Sequence, residues 1–527
     1  MQPDRNKAKQ PGAKKQIAAP QKQKSNEGKT FNSLNVLLAL IVALTGFLLY
    51  VNTLHHEFVL DDYSVIIENR ITRQGTASIG TIFTTSYRAG YYLVNDELYR
   101  PIPKALYALI WEISPNNPLP GHLINILLYA LTGFVLYFFL WQIIKSSFFA
   151  FAASLLFIAH PIHTEVVANI KSIDEILSFL FCITSASLLL KYLHTSKKRL
   201  VLYASVFYFM ALLCKESSIT FLAIFPLLIF FFAPADKPRK FTPLIYLTVA
   251  AVVFLVIRQA VLGNVPHGLP SIADNLLMSA PDLSKRFATA VLILGMYLKL
   301  LFFPHPLVFD YSYNQIPVVS LSDMWSILSL IIHIALLAIA VIQFNKNKII
   351  CFGILFYLVS MSIYANIFLI IGSSFAERFL YTPSLGFAIV VAWFLLKLTT
   401  HKNGSTLFSF FSQNKAALLI LLPIIILYSA KTIARNPVWK SNYSLYSNDV
   451  KLSPNSTRTH FYYGNLLAKP EMVEGKDSVY TDSIRTLALS ELEKAVAIFP
   501  KFGDAYNQMG MTWERMKKYD KAMESYQ

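Results

Sequence analysis

Five groups of ionisable residues stand at the ends of long apolar stretches in this chain. They are Asp61-Asp62, Tyr99-Arg100-Pro101, His160-Pro161-Ile162-His163-Thr164-Glu165, Lys215-Glu216 and Glu377-Arg378. Ionisable groups at membrane depth are costly and are rarely kept without a task. Two adjacent carboxylates repel, so one holds its proton to higher pH and can act as a general base toward a hydroxyl. Asp61 and Asp62 are the candidates for that role. Arg100 presents a planar fork suited to phosphate oxygens, and an arginine at this depth also suits snorkelling to lipid headgroups. His160, His163 and Glu165 crowd hydrogen-bonding groups into one turn, apt for sugar or phosphate or for a structural bend. Their spacing is not that of a zinc protease. Asp174-Glu175 begin the next apolar stretch, and Glu175 extends the same polar pocket. Lys215-Glu216 and Glu377-Arg378 set opposite charges side by side, ready to pair across helices or to hold an anionic headgroup. At an open surface such pairs would contribute little.

The elements that must position these groups follow from composition. The chain has 527 residues, of which 55% are hydrophobic and 15% charged, and its mean hydropathy is +0.47. Soluble domains carry roughly 25% charged residues. The pattern is that of a polytopic membrane protein, all-α in class, with the 14% aromatic content suited to interfacial belts. The net charge of +17 sits mostly in short loops and the N-terminal tail, where it orients spans rather than binding nucleic acid.

Eleven spans are predicted, at about 33–52, 119–143, 148–160, 173–193, 200–214, 217–233, 242–258, 325–344, 349–371, 379–397 and 416–433. Residues 1–30 read as a disordered basic cytoplasmic tail, followed by a retained first span rather than a cleaved signal peptide. Basic loops at Lys197–Arg199, Lys237–Lys240, Lys346–Lys348 and Lys397–Lys415 then fall inside. For that to hold, the apolar segment 287–303 must be re-entrant or interfacial. The five charged groups and the loops 53–118 and 259–324 come out on the non-cytoplasmic side. Ile102 to Ile113, after Pro101, suits a short interfacial helix.

Residues 31–435 form the membrane domain of this reading, and 436–527 an external domain. Thr459 to Leu467 and Asp504 to Gly510, with Tyr519, Ala522 and Tyr526, match tetratricopeptide-repeat helices, small at crossings and aromatic between them. The two glycines, Gly464 and Gly510, are further apart than one repeat, which an insertion near 469–483 explains. The array reads as incomplete, and stacked helical hairpins offer concave surfaces for peptides. Cys182, Cys214 and Cys351 form no CxxC pair and read as small buried hydrophobes. The chain lacks a phosphate-loop motif, a GxSxG nucleophile turn and GxGxxG.

Taken together in order, Phe58-Val59-Leu60-Asp61-Asp62, Tyr99-Arg100-Pro101, His160 to Ala168, Cys214-Lys215-Glu216, Phe309-Asp310-Tyr311-Ser312 and Ala376 to Ser384 resemble one family. They look like the transmembrane and tetratricopeptide-repeat-containing O-mannosyltransferases, of the GT-C superfamily. The resemblance spans about residues 45–527. It implies a GT-C-type helical bundle and transfer of a sugar, mannose in the animal members, from a polyprenyl-phosphate donor to Ser or Thr of a protein. It places the catalytic acid at Asp61 or Asp62 and brings Arg100, Lys215 and Arg378 to the donor phosphate. Members often carry Arg before the acid that follows the histidine motif, where this chain has Ile173.

The reading is thus an inverting membrane glycosyltransferase. Asp61 or Asp62 is the base, and Arg100, His160, His163, Glu165, Glu175, Lys215, Glu216, Glu377 and Arg378 receive the donor phosphate and sugar. No cofactor or metal ligand is implied, a divalent ion is left open, and the polyprenyl-phosphate sugar is a substrate. A bacterial inner membrane is favoured, or the endoplasmic reticulum in a eukaryote. The alternatives are a non-catalytic scaffold whose repeats recruit partners, and a secondary transporter, which would want its charges near the bilayer midplane.

Overall fold

A computed structural model describes residues 33–92, 97–234, 241–263, 268–399 and 406–527. The basic tail 1–30, the loop Lys237–Lys240 and residues 400–405 of the loop before Lys415 lie outside the described residues. Within them the chain is all-helical, with no strand.

Among the described residues, six helices are long and apolar enough to cross a membrane: Ser33–Thr53, Leu119–Ile144, Ile170–Thr195, Pro243–Leu262, Met324–Gln343 and Lys415–Lys440. A seventh crossing arises if Ser147–Ala159 and Pro161–Ala168, bent by 51° where His160-Pro161 interrupts the helix, count as one. Four shorter apolar helices, Arg199–Cys214, Glu216–Phe232, Lys348–Met361 and Ser384–Leu396, occupy other predicted spans. A helix of 14 residues rises only ~21 Å, short of a ~30 Å hydrocarbon core. The stretch 349–371 is therefore not one helix: it ends at Met361, and an irregular segment runs on to Ala376. The segment read as re-entrant or interfacial is a 20-residue helix, Leu283–Phe302, packed beside Met324–Gln343: the Ser326 and Ser329 hydroxyls bond the carbonyls of Ala288 and Val291.

Glycine decides one helix crossing. A Cβ on Gly386 would lie 2.5 Å from the Gly353 carbonyl oxygen and 2.7 Å from the Tyr357 nitrogen. Lys348–Met361 and Ser384–Leu396 therefore meet backbone to backbone, the way small residues pack in membranes. This contact seats the segment Glu377–Leu380, which leads into Ser384–Leu396.

The short helix predicted after Pro101 spans Pro101–Ile113, with Pro at its first position. It buries Tyr107 and Trp111 and exposes Leu109 and Ile113. The three cysteines are buried and unpaired.

After Arg435 the chain forms five α-helices, Asn442–Leu452, Thr457–Leu467, Ser478–Ile498, Gly503–Arg515 and Tyr519–Tyr526. Gly464 lies where the second of these meets the third, against Leu492 and the Ala488 carbonyl, and Gly510 lies under the ring of Tyr526. These are helical hairpins crossing at small residues. The extra length between the glycines is shared by the connection before Ser478 and by the 21-residue helix that follows.

This part is tied down to the loops of the membrane part. Glu57 N–H donates to the Lys440 carbonyl at 2.8 Å and Leu60 N–H to Asn442 Oδ1 at 2.9 Å. Thr457 N–H donates to the Tyr313 carbonyl at 2.7 Å. Buried Arg435 grips both oxygens of Asp449 at 2.8 Å, and Asp449 also accepts the N–H of Phe309.

Candidate active site

Asp61 and Asp62 are neighbours with opposite surroundings. Leu60 adopts φ 49°, a left-handed conformation that costs a leucine of order 1–3 kcal/mol. Packing against the Trp439–Tyr446 cluster and the Asn442 bond to its N–H hold it there. The chain reverses at this point. Asp62 is fully buried, one oxygen accepting Val59 N–H at 2.9 Å and the other Lys171 N–H at 2.7 Å. The Asp61 side chain remains 43% exposed and meets Arg88 Nη2 at 3.2 Å.

The electrostatics follow. Burial pushes the Asp62 carboxyl up to about 7, only partly offset by its two backbone hydrogen bonds. Protein packed around Asp61 would also raise it, but Arg88, Lys171, Arg378 and Arg458 surround it and hold it down to about 2. An open carboxylate paired with Arg88, and within electrostatic reach of Lys171, Arg378 and Arg458, is therefore the centre of the site.

Each cation comes from a different element. Arg88 lies in the first long loop. Lys171 precedes Ile173–Thr195 and reaches Asp174 at 3.3 Å. Arg378 is bound to Glu165 through both its guanidinium and its backbone N–H, with 28% of its side chain open. Arg458, from the first C-terminal hairpin, bonds Asp274, faces Asp310 at 3.6 Å and lies 5.2 Å over the Tyr462 ring.

The remaining residues expected to receive the donor have protein partners. Buried Arg100 donates to Asp174 at 2.7 Å and to Glu216 at 2.9 Å, and Glu216 also accepts the Tyr99 N–H. Lys215 is buried against Glu175. Both nitrogens of His160 are taken, Nδ1 by the Ile162 N–H and Nε2 by the Leu301 carbonyl at 3.0 Å. His163 lies 2.9 Å from the Tyr129 hydroxyl and 2.9 Å from the Ser384 hydroxyl, wrapped by Phe157 and Tyr381. Glu377 accepts the Tyr311 hydroxyl and the Val308 N–H. Burial pushes it up to about 8 despite Arg435 nearby. These contacts tie helices and loops of the bundle to one another. Of Arg100, Lys215 and Arg378, the bases expected at the donor phosphate, Arg378 is the one whose charge bears on Asp61.

Arg88, Lys171 and Arg458 are the cations that sequence reasoning did not single out. Lys171, a lone base three residues before a buried acid at a span start, carried a readable signal. Arg88 and Arg458 lie in polar surroundings where one more arginine carries none. Among the described residues, no group of three or more His, Cys, Asp or Glu side chains could hold a metal ion.

No family model matches the chain. A protein O-mannosyl-transferase of Caenorhabditis elegans is 27% identical over 466 residues, 87% of this chain and 64% of its own. Human protein O-mannosyl-transferase TMTC1 is 26% identical over 90% of this chain and 56% of its own. Human TMTC3, named likewise, is 25% identical over 90% and 53%. The resemblance read from the motifs thus runs along most of this chain, and the chain spans less than two thirds of the length of these relatives. An oligosaccharyltransferase from Archaeoglobus fulgidus in the apo form aligns with 85% of this chain and 59% of its own, at 13% identity and a TM-score of 0.40.

Proposed function

We propose that this chain, similar along most of its length to protein O-mannosyl-transferases, transfers a sugar from a polyprenyl-phosphate donor to a Ser or Thr hydroxyl of a protein. The sugar is mannose in this reading, the enzyme is of the GT-C type, and the chemistry takes place at the non-cytoplasmic face. One observation carries it: the exposed Asp61 carboxylate amid Arg88, Lys171, Arg378 and Arg458.

Geometry selects the base before pKa does. Asp62 has the better pKa for the task, but both its oxygens are spent on backbone N–H groups inside the protein. Asp61 is the carboxylate an acceptor can reach. In the free protein the cations make it a weak base. An anionic donor phosphate would neutralise them and lift their hold on Asp61, so its basicity rises when the donor is bound.

Asp61 takes the proton of the acceptor hydroxyl. The hydroxyl oxygen attacks the anomeric carbon, the bond from that carbon to the donor phosphate oxygen breaks, and polyprenyl phosphate departs with the electron pair. Arg88, Lys171 and Arg378 stabilise the charge that grows on it. The first C-terminal hairpin, which supplies Arg458 and Tyr462, forms the wall nearest the acceptor, and the hairpins beyond it hold the rest of the acceptor chain. The membrane is the bacterial inner membrane or, in a eukaryote, the endoplasmic reticulum.

The test uses membranes carrying the full chain, a labelled polyprenyl-phosphate mannose and a Ser/Thr-rich acceptor peptide. Losing a general base lowers turnover roughly 10²–10⁴-fold, so Asp61→Asn should fall by that much at unchanged expression. Full transfer by Asp61→Asn would overturn the proposal and favour a scaffold whose hairpins only recruit partners.

A further inference from the structure

The bundle has a second charged end. Leu119–Ile144, Glu216–Phe232 and Ser384–Leu396 all begin beside the candidate active site and finish at the opposite end. Lys348–Met361 starts there. These four helix ends line an open cleft of about 450 Å³, within the range of small-molecule sites, roughly 300–1,000 Å³. Its rim carries Lys346, Lys348 and Lys397, and its walls include Trp393, Ile144 and Phe232. Among the described residues, no carboxylate lines it. Lys397 Nζ lies 4.5 Å over the Trp393 ring, which leaves the ammonium at the rim. The N-terminus of Lys348–Met361 opens at the same place, and the positive end of its dipole adds to the field.

We propose that this cleft seats the phosphate of an anionic phospholipid in the leaflet opposite the candidate active site. Three ammonium groups meet the headgroup, and Trp393 sits at the headgroup level that suits its ring. The apolar walls formed by Ile144 and Phe232 continue toward the acyl chains. Basic pockets between spans on one membrane face are what anionic headgroups select. Topology alone needs lysines in loops, not lysines gathered around a walled cleft. The inference rests on the bundle spanning a membrane and is independent of the sugar-transfer reading.

The test is native mass spectrometry of the full chain in detergent, titrated with phosphatidylglycerol, phosphatidylcholine or phosphatidylglycerol plus inorganic phosphate. The variants are K346Q/K348Q/K397Q and a charge-matched control, K191Q/K198Q/K415Q, whose lysines are exposed at the same end of the bundle outside the cleft. Each base near an anionic lipid strengthens binding about fivefold, so the cleft variant should hold phosphatidylglycerol roughly a hundredfold more weakly. The control should stay within about threefold of wild type, phosphatidylcholine should bind at least tenfold more weakly than phosphatidylglycerol, and inorganic phosphate should not displace the lipid. Equal retention of the two lipids, or equal losses in both variants, would overturn the proposal. Displacement by inorganic phosphate would reassign the cleft to a free anion and overturn the lipid.

Discussion

The Asp62 carboxylate accepts the Lys171 backbone N–H at 2.7 Å across 109 residues of chain. Its other oxygen closes the turn at Val59. The second acid of the pair is thus a fastener between the first long loop and the start of Ile173–Thr195, and the first acid is the exposed one. Asp62→Asn turns one accepting oxygen into a donor and strands a buried N–H, at a cost of ~1–3 kcal/mol. Thermal unfolding of the detergent-solubilised chain should show that loss, while Asp61→Asn, which gives up a partly exposed pair worth ~0.2–1 kcal/mol, should lose less. Turnover lost with stability kept in Asp62→Asn would reverse the two roles.

The pH profile separates the same two residues. The acidic limb of kcat/KM reports the base in the free enzyme. Asp61, at about 2, predicts a flat profile from about pH 5 to 7. A limb centred near pH 7 would instead belong to Asp62.

Glu377 makes a stability prediction with a defined sign. Its folded pKa, about 8, lies above its ordinary value of 4.5. Between those values the folded state binds more protons than the unfolded state, so stability falls as pH rises through the window. Glu377→Gln keeps the neutral shape and should flatten that part of the stability–pH curve. An unchanged slope in the variant would mean that Glu377 is ionised at neutral pH.

Arg100 and Arg88 should fail differently. Arg100 is buried between Asp174 and Glu216, and Arg100→Ala strands those carboxylates, a loss of ~3–5 kcal/mol. Arg88→Ala breaks a partly exposed pair worth ~0.2–1 kcal/mol. It should leave unfolding nearly unchanged and raise the donor KM about tenfold, the effect of removing one charge-assisted phosphate contact. Steady-state kinetics and thermal unfolding on both variants check the contrast, which vanishes if Arg100 contacts the donor directly.

The Arg435–Asp449 pair should govern how the C-terminal helices sit. Asp449→Ala leaves a 5%-exposed guanidinium unpaired and frees the Phe309 N–H, again ~3–5 kcal/mol. Limited proteolysis should release the segment after Asn442 faster from the variant than from wild type. Equal rates would show that the backbone bonds at Lys440 and Tyr313 suffice.

Much of this architecture was legible in the sequence. Hydropathy located the apolar helices because a segment facing lipid must satisfy its backbone internally and cover it with apolar side chains. Pro101 marked the short helix that it begins. Gly464 and Gly510 marked helix crossings, since only a missing side chain admits such approach. The error at 349–371 has the same root: apolar composition continues beyond Met361, but hydropathy does not register where the backbone leaves the helix.

Sequence alone determined which residues are ionisable, which stretches are apolar, and that acids and bases gather at one set of helix ends. Tertiary structure alone decided who faces whom. It turned Asp61 outward and Asp62 inward through a left-handed Leu60, gave Arg100 and Lys215 to buried carboxylates, and brought Arg88, Lys171, Arg378 and Arg458 around Asp61. The physical reason is that electrostatic work depends on distance and dielectric. Both are properties of the packed chain, not of neighbours along it.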